Sequence, residues 1–279
     1  MWHYNSMRVS LAALAVVLSA CGGINTSGAQ DLGVSFGKKA VKGAPLLPKY
    51  TLRNFSADDP ARILVIGDSL GQGFGMFLDQ RVKQRGLSGV VTNRGKVSTG
   101  LARGDFYNWP ANFKTIAESQ KPDVIVAHFG ANDMQTIIKP TGNVSYGSQS
   151  WAEAYAGQVS EILKVAADVG AVVYWLGPAP DSHKNLNNHL TMINPLFKQT
   201  VEASRGTYIP LTEIASGPGG AFVKTINFEG RNLRIRTADG SHFTGAGYAL
   251  MMDQLLDRMK QDIPSLSPEQ VSKFAGLLQ

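Results

Sequence analysis

Apolar residues fall into two kinds of run along the chain. Short unbroken runs occupy Arg62–Ile66 (RILVI), Gly89–Thr92 (GVVT), Asp123–Phe129 (DVIVAHF) and Ala171–Leu176 (AVVYWL), with a shorter fifth at Thr207–Pro210. Runs that are apolar throughout, rather than alternating, suit buried parallel strands covered on both faces. Between them lie segments with helical spacing: Met76–Gln84, Trp151–Val169, Leu186–Ala203 and Gly247–Lys260. In the second of these, Ala154, Tyr155, Val159, Ile162, Leu163 and Ala166 recur at the helical period. Alternating strands and helices predict a three-layer α/β/α sandwich with a mainly parallel sheet and right-handed crossovers. In such sheets ligands sit outside the carboxyl ends of the strands. Ala221–Phe228 and Asn232–Arg236 instead alternate about Glu229-Gly230-Arg231, which predicts a β-hairpin inserted before the last long helix. Ser267-Pro268-Glu269-Gln270 carries helix-start signals and predicts a short final helix.

The N-terminus follows a different pattern. Val9–Ala20 is an apolar stretch of 12 residues after Arg8, with no acidic residue before Asp31. It is too short to span a bilayer, which takes ~20 helical residues, but it fits the apolar region of a signal peptide. Met7 is an alternative start, since the residues before it add little to that signal. The stretch ends in Leu18-Ser19-Ala20-Cys21, which resembles the lipobox of bacterial lipoproteins, with Cys21 as the lipidated first residue of the mature chain. Residues 1–20 are therefore read as a signal peptide, 21–51 as a lipidated tether rich in Gly, Ser, Lys and Pro, and 52–279 as the folded body. The expected location is the periplasm or the outer membrane of a bacterium, with the membrane reached through the Cys21 lipid. Cys21 is the only cysteine, which excludes a disulfide within the chain and any Cys-rich metal site.

Composition narrows the classes further. Hydrophobic residues make up 43% of the 279, including 12 Phe, 8 Tyr and 4 Trp, enough for a sizeable core. Thirty glycines and 13 prolines show no period, so a collagen-like chain is excluded. The formal charge is +6. The positive residues are scattered, densest at Arg231, Arg234 and Arg236, and form neither a stripe nor a recognised nucleic-acid motif. They read as a solvated basic surface that can also attract anionic polymers.

Three segments carry chemistry. The first strand runs into Gly67-Asp68-Ser69-Leu70, which sets a hydroxyl at the ligand edge of the sheet, before a helix. The third strand ends in Gly130-Ala131-Asn132-Asp133, and Asp239-Gly240-Ser241-His242 precedes the last long helix. An aspartate three residues before a histidine can orient its imidazole. Brought near Ser69, that pair would supply base and orienter to a nucleophile.

These ordered blocks resemble the SGNH (GDSL-type) hydrolase superfamily over about Arg62 to Lys260. Ser98-Thr99-Gly100-Leu101-Ala102-Arg103-Gly104-Asp105-Phe106 also resembles a less characterised bacterial branch associated with the cell envelope. The resemblance implies a serine esterase with Ser69 as nucleophile, His242 as base and Asp239 as orienter, and with no metal or cofactor. The implied oxyanion donors are the Ser69 and Gly100 amides and the Asn132 side chain. Gly95 is the alternative to Gly100, because Asn93-Arg94-Gly95-Lys96-Val97-Ser98-Thr99-Gly100 departs from the family spacing. The implied substrate is an acylated envelope carbohydrate or a small ester, with an O-acyltransferase or a silent binding lipoprotein as alternatives. Asp133 either fixes its loop or touches substrate. Phe106, Tyr107 and Trp109 either stack on a sugar or pack in the core. His128 reads as a satisfied core residue, His183 and His189 as surface residues, and Asp68 as a brace for the turn.

Overall fold

The computed structural model describes residues 52–267, so the signal, the Cys21 site, the tether and the helix expected from Pro268 lie outside the described residues. The apolar runs form β1 (Ala61–Gly67), β2 (Gly89–Asn93), β3 (Val124–His128), β4 (Val172–Gly177) and β5 (Thr207–Pro210). Every neighbouring pair is parallel, in the order β2-β1-β3-β4-β5. Burial follows that order. Every residue of the central β3 is buried, whereas most of the edge strands β2 and β5 is only partly covered. The most continuous apolar runs are therefore those with helices on both faces.

Alternate residues of β1 feed two separate cores. Ile63 and Val65 point into one with α1 (Ser69–Gln84) and α5 (Gly245–Asp262). Leu64 and Ile66 point into the other with α2 (Trp109–Gln120), α3 (Gln149–Asp168) and α4 (Lys184–Ala203). This is the expected three-layer sandwich. The hairpin is also present, as β6 (Thr225–Phe228) and β7 (Arg231–Arg234). Arg231 belongs to the second strand and pairs with Phe228, so the turn is the two residues Glu229 and Gly230, both at positive φ.

Two helices differ from expectation. α1 starts at Ser69, seven positions before Met76, because the Asp68 carboxylate caps it and its glycines are used in packing. Gly73 lies under the Tyr248 ring and Gly75 against the Asn93 side chain, each too close for a Cβ. The helix-weakening residues are thus what let α5 and β2 approach. α2 is absent from the sequence reading because only Trp109, Phe113 and Ala117 face inward. Its start was nevertheless signalled: the Asn108 side chain accepts from the Ala111 amide, and Pro110 occupies the first turn.

The amino edge of the sheet is tied by Asp123. Its carboxylate accepts from the Arg62 backbone N–H at 2.8 Å, from both the Nε and an Nη of Arg62, and from the Arg53 guanidinium at 3.0 and 3.3 Å. Burial pushes this carboxyl up, but the Arg62 and Arg53 bonds outweigh it and leave it below its ordinary value. Asp123→Asn should lower unfolding free energy by about 2 kcal/mol in denaturant titrations, since both guanidiniums stay partly solvated. An unchanged midpoint would show that the strand edge does not need the charge.

Candidate functional site

The site begins where β1 cannot carry a side chain. Gly67 has φ +147°, and a Cβ there would fall 2.1 Å from the His128 carbonyl oxygen at the end of β3. Glycine alone allows two neighbouring parallel strands to end this close while one turns into a helix. Asp68 follows and caps α1, its Oδ1 accepting from the Leu70 amide at 2.9 Å and the Gly71 amide at 3.2 Å. That cap makes Ser69 the first residue of α1, at the carboxyl edge of the sheet.

The Ser69 hydroxyl lies 2.9 Å from His242 Nε2, across 173 residues of sequence. On the other side of the ring, His242 Nδ1 lies 2.8 Å from Asp239 Oδ2. The carboxylate selects the tautomer with hydrogen on Nδ1, which leaves the Nε2 lone pair facing the Ser69 hydroxyl. Partial burial raises the Asp239 carboxyl, but bonds from Thr237, His242 and the Ser241 and His242 amides reverse this and hold it well below the carboxylate range. It is thus ionised at any ordinary pH. The imidazole and the carboxylate are both about half exposed, so the site is open to water.

Asn132 Nδ2 donates to the Thr99 carbonyl at 2.9 Å, and its second N–H has no acceptor among the described residues. The Ser69 and Gly100 amides donate to no acceptor among the described residues. Gly95 differs: its amide donates to Asn93 Oδ1 at 3.0 Å, and its backbone is pressed onto Gln72 in the first turn of α1. Of the two candidate glycines, only Gly100 has a spare N–H.

The family model described as "Protein of unknown function (DUF459)" matches residues 62–258. The chain belongs to that family. No curated protein matches it. Among solved structures, the fold is similar to a GDSL-like lipase from Bacteroides thetaiotaomicron, with TM-score 0.53, 16% identity, and 72% of this chain and 89% of that one covered. It is similar to an acetyl xylan esterase from Geobacillus stearothermophilus, with TM-score 0.51, 13% identity and coverage of 71% and 93%. It is also similar to the esterase EstA from Pseudoalteromonas sp., with TM-score 0.50, 14% identity and coverage of 72% and 97%. The fold of this DUF459 chain is that of the SGNH hydrolases.

Several residues stand elsewhere than the sequence suggested. Asp133 is completely buried and touches no ligand space. Its carboxylate accepts from the Ala102 amide at 2.8 Å and the Tyr155 hydroxyl at 2.6 Å, and it packs directly under the Gly100 Cα. It fixes the Gly100 turn instead of meeting substrate. Burial pushes this carboxyl up to about 6, with the Ala102 and Tyr155 bonds partly opposing and the Asp68 charge adding to the rise. Trp109 is likewise fully buried; its indole N–H donates to Thr99 Oγ1 at 2.9 Å, so it packs in the core and cannot stack on a sugar. Of the aromatic candidates, Tyr107 keeps a partly open face, edge-on to Trp109, and Phe106 is exposed.

The histidines divide differently from expectation. His183 is exposed as read, but its Nδ1 lies 2.8 Å from the buried Asp181. His128 is in the core, where its Nδ1 lies 3.4 Å from Asp68 Oδ1 but makes no hydrogen bond among the described residues, so it is less well satisfied than expected. His189 is not a surface residue. It is 1% exposed, with Nε2 donating to the Gly130 carbonyl and Nδ1 accepting from Tyr146. Arg236, read as part of a solvated basic group, is 2% exposed. It donates to the Ser241 and Pro180 carbonyls at 2.5 Å each and lies 3.7 Å over the Phe243 ring. It therefore ties the loop that carries His242 to the loop before α4. Burial brings this guanidinium down to about 10, against the opposing field of Asp181.

Burial lowers the His189 imidazole to about 4, below its ordinary 6.5. A depressed basic group contributes stability that is present above pH 6.5 and lost as pH falls towards 4, because the unfolded chain then takes up a proton that the folded chain refuses. The predicted loss is about 3 kcal/mol between pH 7 and pH 4. Denaturant unfolding at both pH values should show a loss smaller by that amount in His189→Gln. Equal losses in the two proteins would remove His189 as the cause.

Proposed function

We propose that this protein is a serine esterase that removes O-acyl groups, acetyl above all, from an envelope carbohydrate. The observation that carries the reading is the continuous line from Ser69 Oγ through the His242 ring to Asp239, at 2.9 and 2.8 Å. In the mechanism we infer, Ser69 Oγ attacks the ester carbonyl carbon while His242 Nε2 takes the hydroxyl proton. The carbonyl π electrons move to oxygen, and the resulting anion is met by the Ser69 and Gly100 amides and the free Asn132 N–H. Collapse of that intermediate breaks the ester C–O bond, and His242 returns the proton to the departing alcohol. Water then attacks acyl-Ser69 with His242 again as base, which frees the acid and the serine.

Charge forms on the carbonyl oxygen only as the transition state is reached, so preset donors lower the barrier rather than tighten ground-state binding. The open rim around His242 and Asp239 supports hydrolysis, because water reaches the acyl-enzyme freely. The carbohydrate assignment draws support from the half-open Tyr107 and exposed Phe106 after the Gly100 turn, and from the export signal read at the N-terminus. The similar acetyl xylan esterase fold adds to it.

On a small acetyl ester such as p-nitrophenyl acetate, Ser69→Ala should abolish turnover and organophosphonate labelling. Asn132→Ala should keep the labelling residue and lower kcat by roughly 10²–10³ with KM little changed. Wild-type turnover surviving in Ser69→Ala would refute the reading. Arg236→Met should act only through the His242 loop, lowering kcat by roughly tenfold or more while KM stays near wild type. Loss in KM alone would show that Arg236 does not position the base.

A further inference from the structure

The segment between β2 and the Gly100 turn runs along one wall of the site. Lys96 donates its backbone N–H to the Gly67 carbonyl at 2.8 Å, two residues before Ser69, and its carbonyl accepts from Thr99 Oγ1 at 2.6 Å. Its backbone is therefore fixed beside both the nucleophile turn and the oxyanion turn. The Lys96 ammonium lies 5.1 Å over the Tyr107 ring, a cation–π contact that holds a long side chain in one place. Arg94, two residues earlier on the same segment, donates its backbone N–H to the Val65 carbonyl at 2.8 Å. Burial raises the Tyr107 phenol above its ordinary value, and the Arg94 charge opposes that rise. Farther along the same wall, Arg103 and Asp105 neutralise each other through two bonds of 2.7 and 2.8 Å.

Neither Arg94 nor Lys96 pairs with a carboxylate among the described residues, although both are exposed. Arg53, Arg62, Arg81, Lys83, Arg85, Lys164 and Arg258 each hold an aspartate, whereas Lys121, Lys139, Lys184 and Arg205 resemble Arg94 and Lys96 in having no carboxylate partner among the described residues. What sets Lys96 apart is its place against Tyr107 and beside the Gly67 turn. The wall beside Ser69 thus carries uncompensated positive charge next to an aromatic ring. We propose that Arg94, Lys96 and Tyr107 form a subsite for an anionic glycan strand, so that the acylated carbohydrate brought to Ser69 carries carboxylate or phosphate groups near its ester. This deepens, and rests on, the esterase reading above. An ester seated against Ser69, Gly100 and Asn132 has a neighbouring sugar along this wall. There an anion gains from two unpaired cations, whereas a neutral sugar gains only contact with Tyr107. Two exposed charge contacts give about a tenfold gain in affinity.

The test uses the full chain carrying Ser69→Ala, in native gels containing polygalacturonate, a phosphomannan or neutral xylan. Retardation by polygalacturonate or by phosphomannan, and not by xylan, is expected, and the pair of gels identifies which anion is taken. Arg94→Gln/Lys96→Gln should weaken that binding about tenfold, while Lys114→Gln/Lys164→Gln, with the same change in net charge, should alter it less than twofold. Equal weakening by both pairs would reduce the effect to general charge and overturn the subsite. So would absence of retardation, or binding to phosphatidylglycerol vesicles alone, which would make the wall a membrane-docking surface. Wild-type protein is assayed in parallel on acetylated polygalacturonate, acetylated xylan and p-nitrophenyl acetate. Failure on all three esters with selective retardation retained would sink the esterase reading while leaving the anionic subsite standing.

Discussion

The position of Ser69 depends on one close approach: the Gly67 Cα against the His128 carbonyl, where any side chain would collide with backbone. Since β1 and β3 are adjacent and parallel, their carboxyl ends emerge together, and the chain leaving β1 has to turn within a residue of its neighbour. Asp68 converts that turn into a helix start, and the serine inherits both the sheet edge and the helix terminus. The arrangement leaves polar atoms in the interior. Asp68 Oδ2, one residue before Ser69, is buried without a partner among the described residues, and His128 Nδ1 reaches Asp68 Oδ1 only at 3.4 Å. Buried unpaired polar groups cost on the order of 1–3 kcal/mol each, and such costs gather where geometry is fixed by function rather than by stability.

The reacting groups are exposed, but the groups that hold them are not. His242 and Asp239 stand half in solvent. The loop beneath them is held by Arg236, and the Gly100 turn is held by Asp133, Tyr155, Trp109 and Thr99, all inside the molecule. This division has a physical reason. A hydrogen bond in the interior has no water competing for it, so a buried guanidinium or carboxylate can fix a loop more firmly than a surface pair can. Openness to water and accuracy of placement are thereby supplied by different residues.

How much of this was legible follows from the same division. The central strands β1, β3 and β4 could be read because burial on both faces writes itself into unbroken apolar runs. The less covered edge strands β2 and β5 were legible only as shorter ones. The blocks around Ser69, Asn132 and His242 could be read because their residue types and order were specific. What sequence did not reveal was direction. Asp133 and Trp109 sit beside block residues, and nothing in their spacing says that both side chains turn inward while Tyr107 stays partly out. Arg236 was misread for a stronger reason, since charged residues are so seldom fully buried that an arginine following Arg231 and Arg234 reads as surface. The α1 start was obscured by glycines whose low helix propensity was outweighed by the packing they permit. In each case a local signal lost to a tertiary contact.

Charge around the site is also divided, and magnitudes indicate what each part can do. In the proposed mechanism the oxyanion is met by amide donors, where a single hydrogen bond changes the rate roughly a hundredfold or more. A cation ~10 Å away across water contributes only about 0.4 kcal/mol to the same charge, and salt screens it further. Arg94 and Lys96 therefore have little leverage over the chemical step from an exposed wall. Their leverage is over encounter and residence of a strand with many charges, because weak attractions add along a polymer while the transition state has only one oxyanion. On the proposed reading, selection of substrate and acceleration of the reaction fall to separate residues, so the charge of an accepted glycan could change by substitution on the wall without disturbing the proposed oxyanion donors.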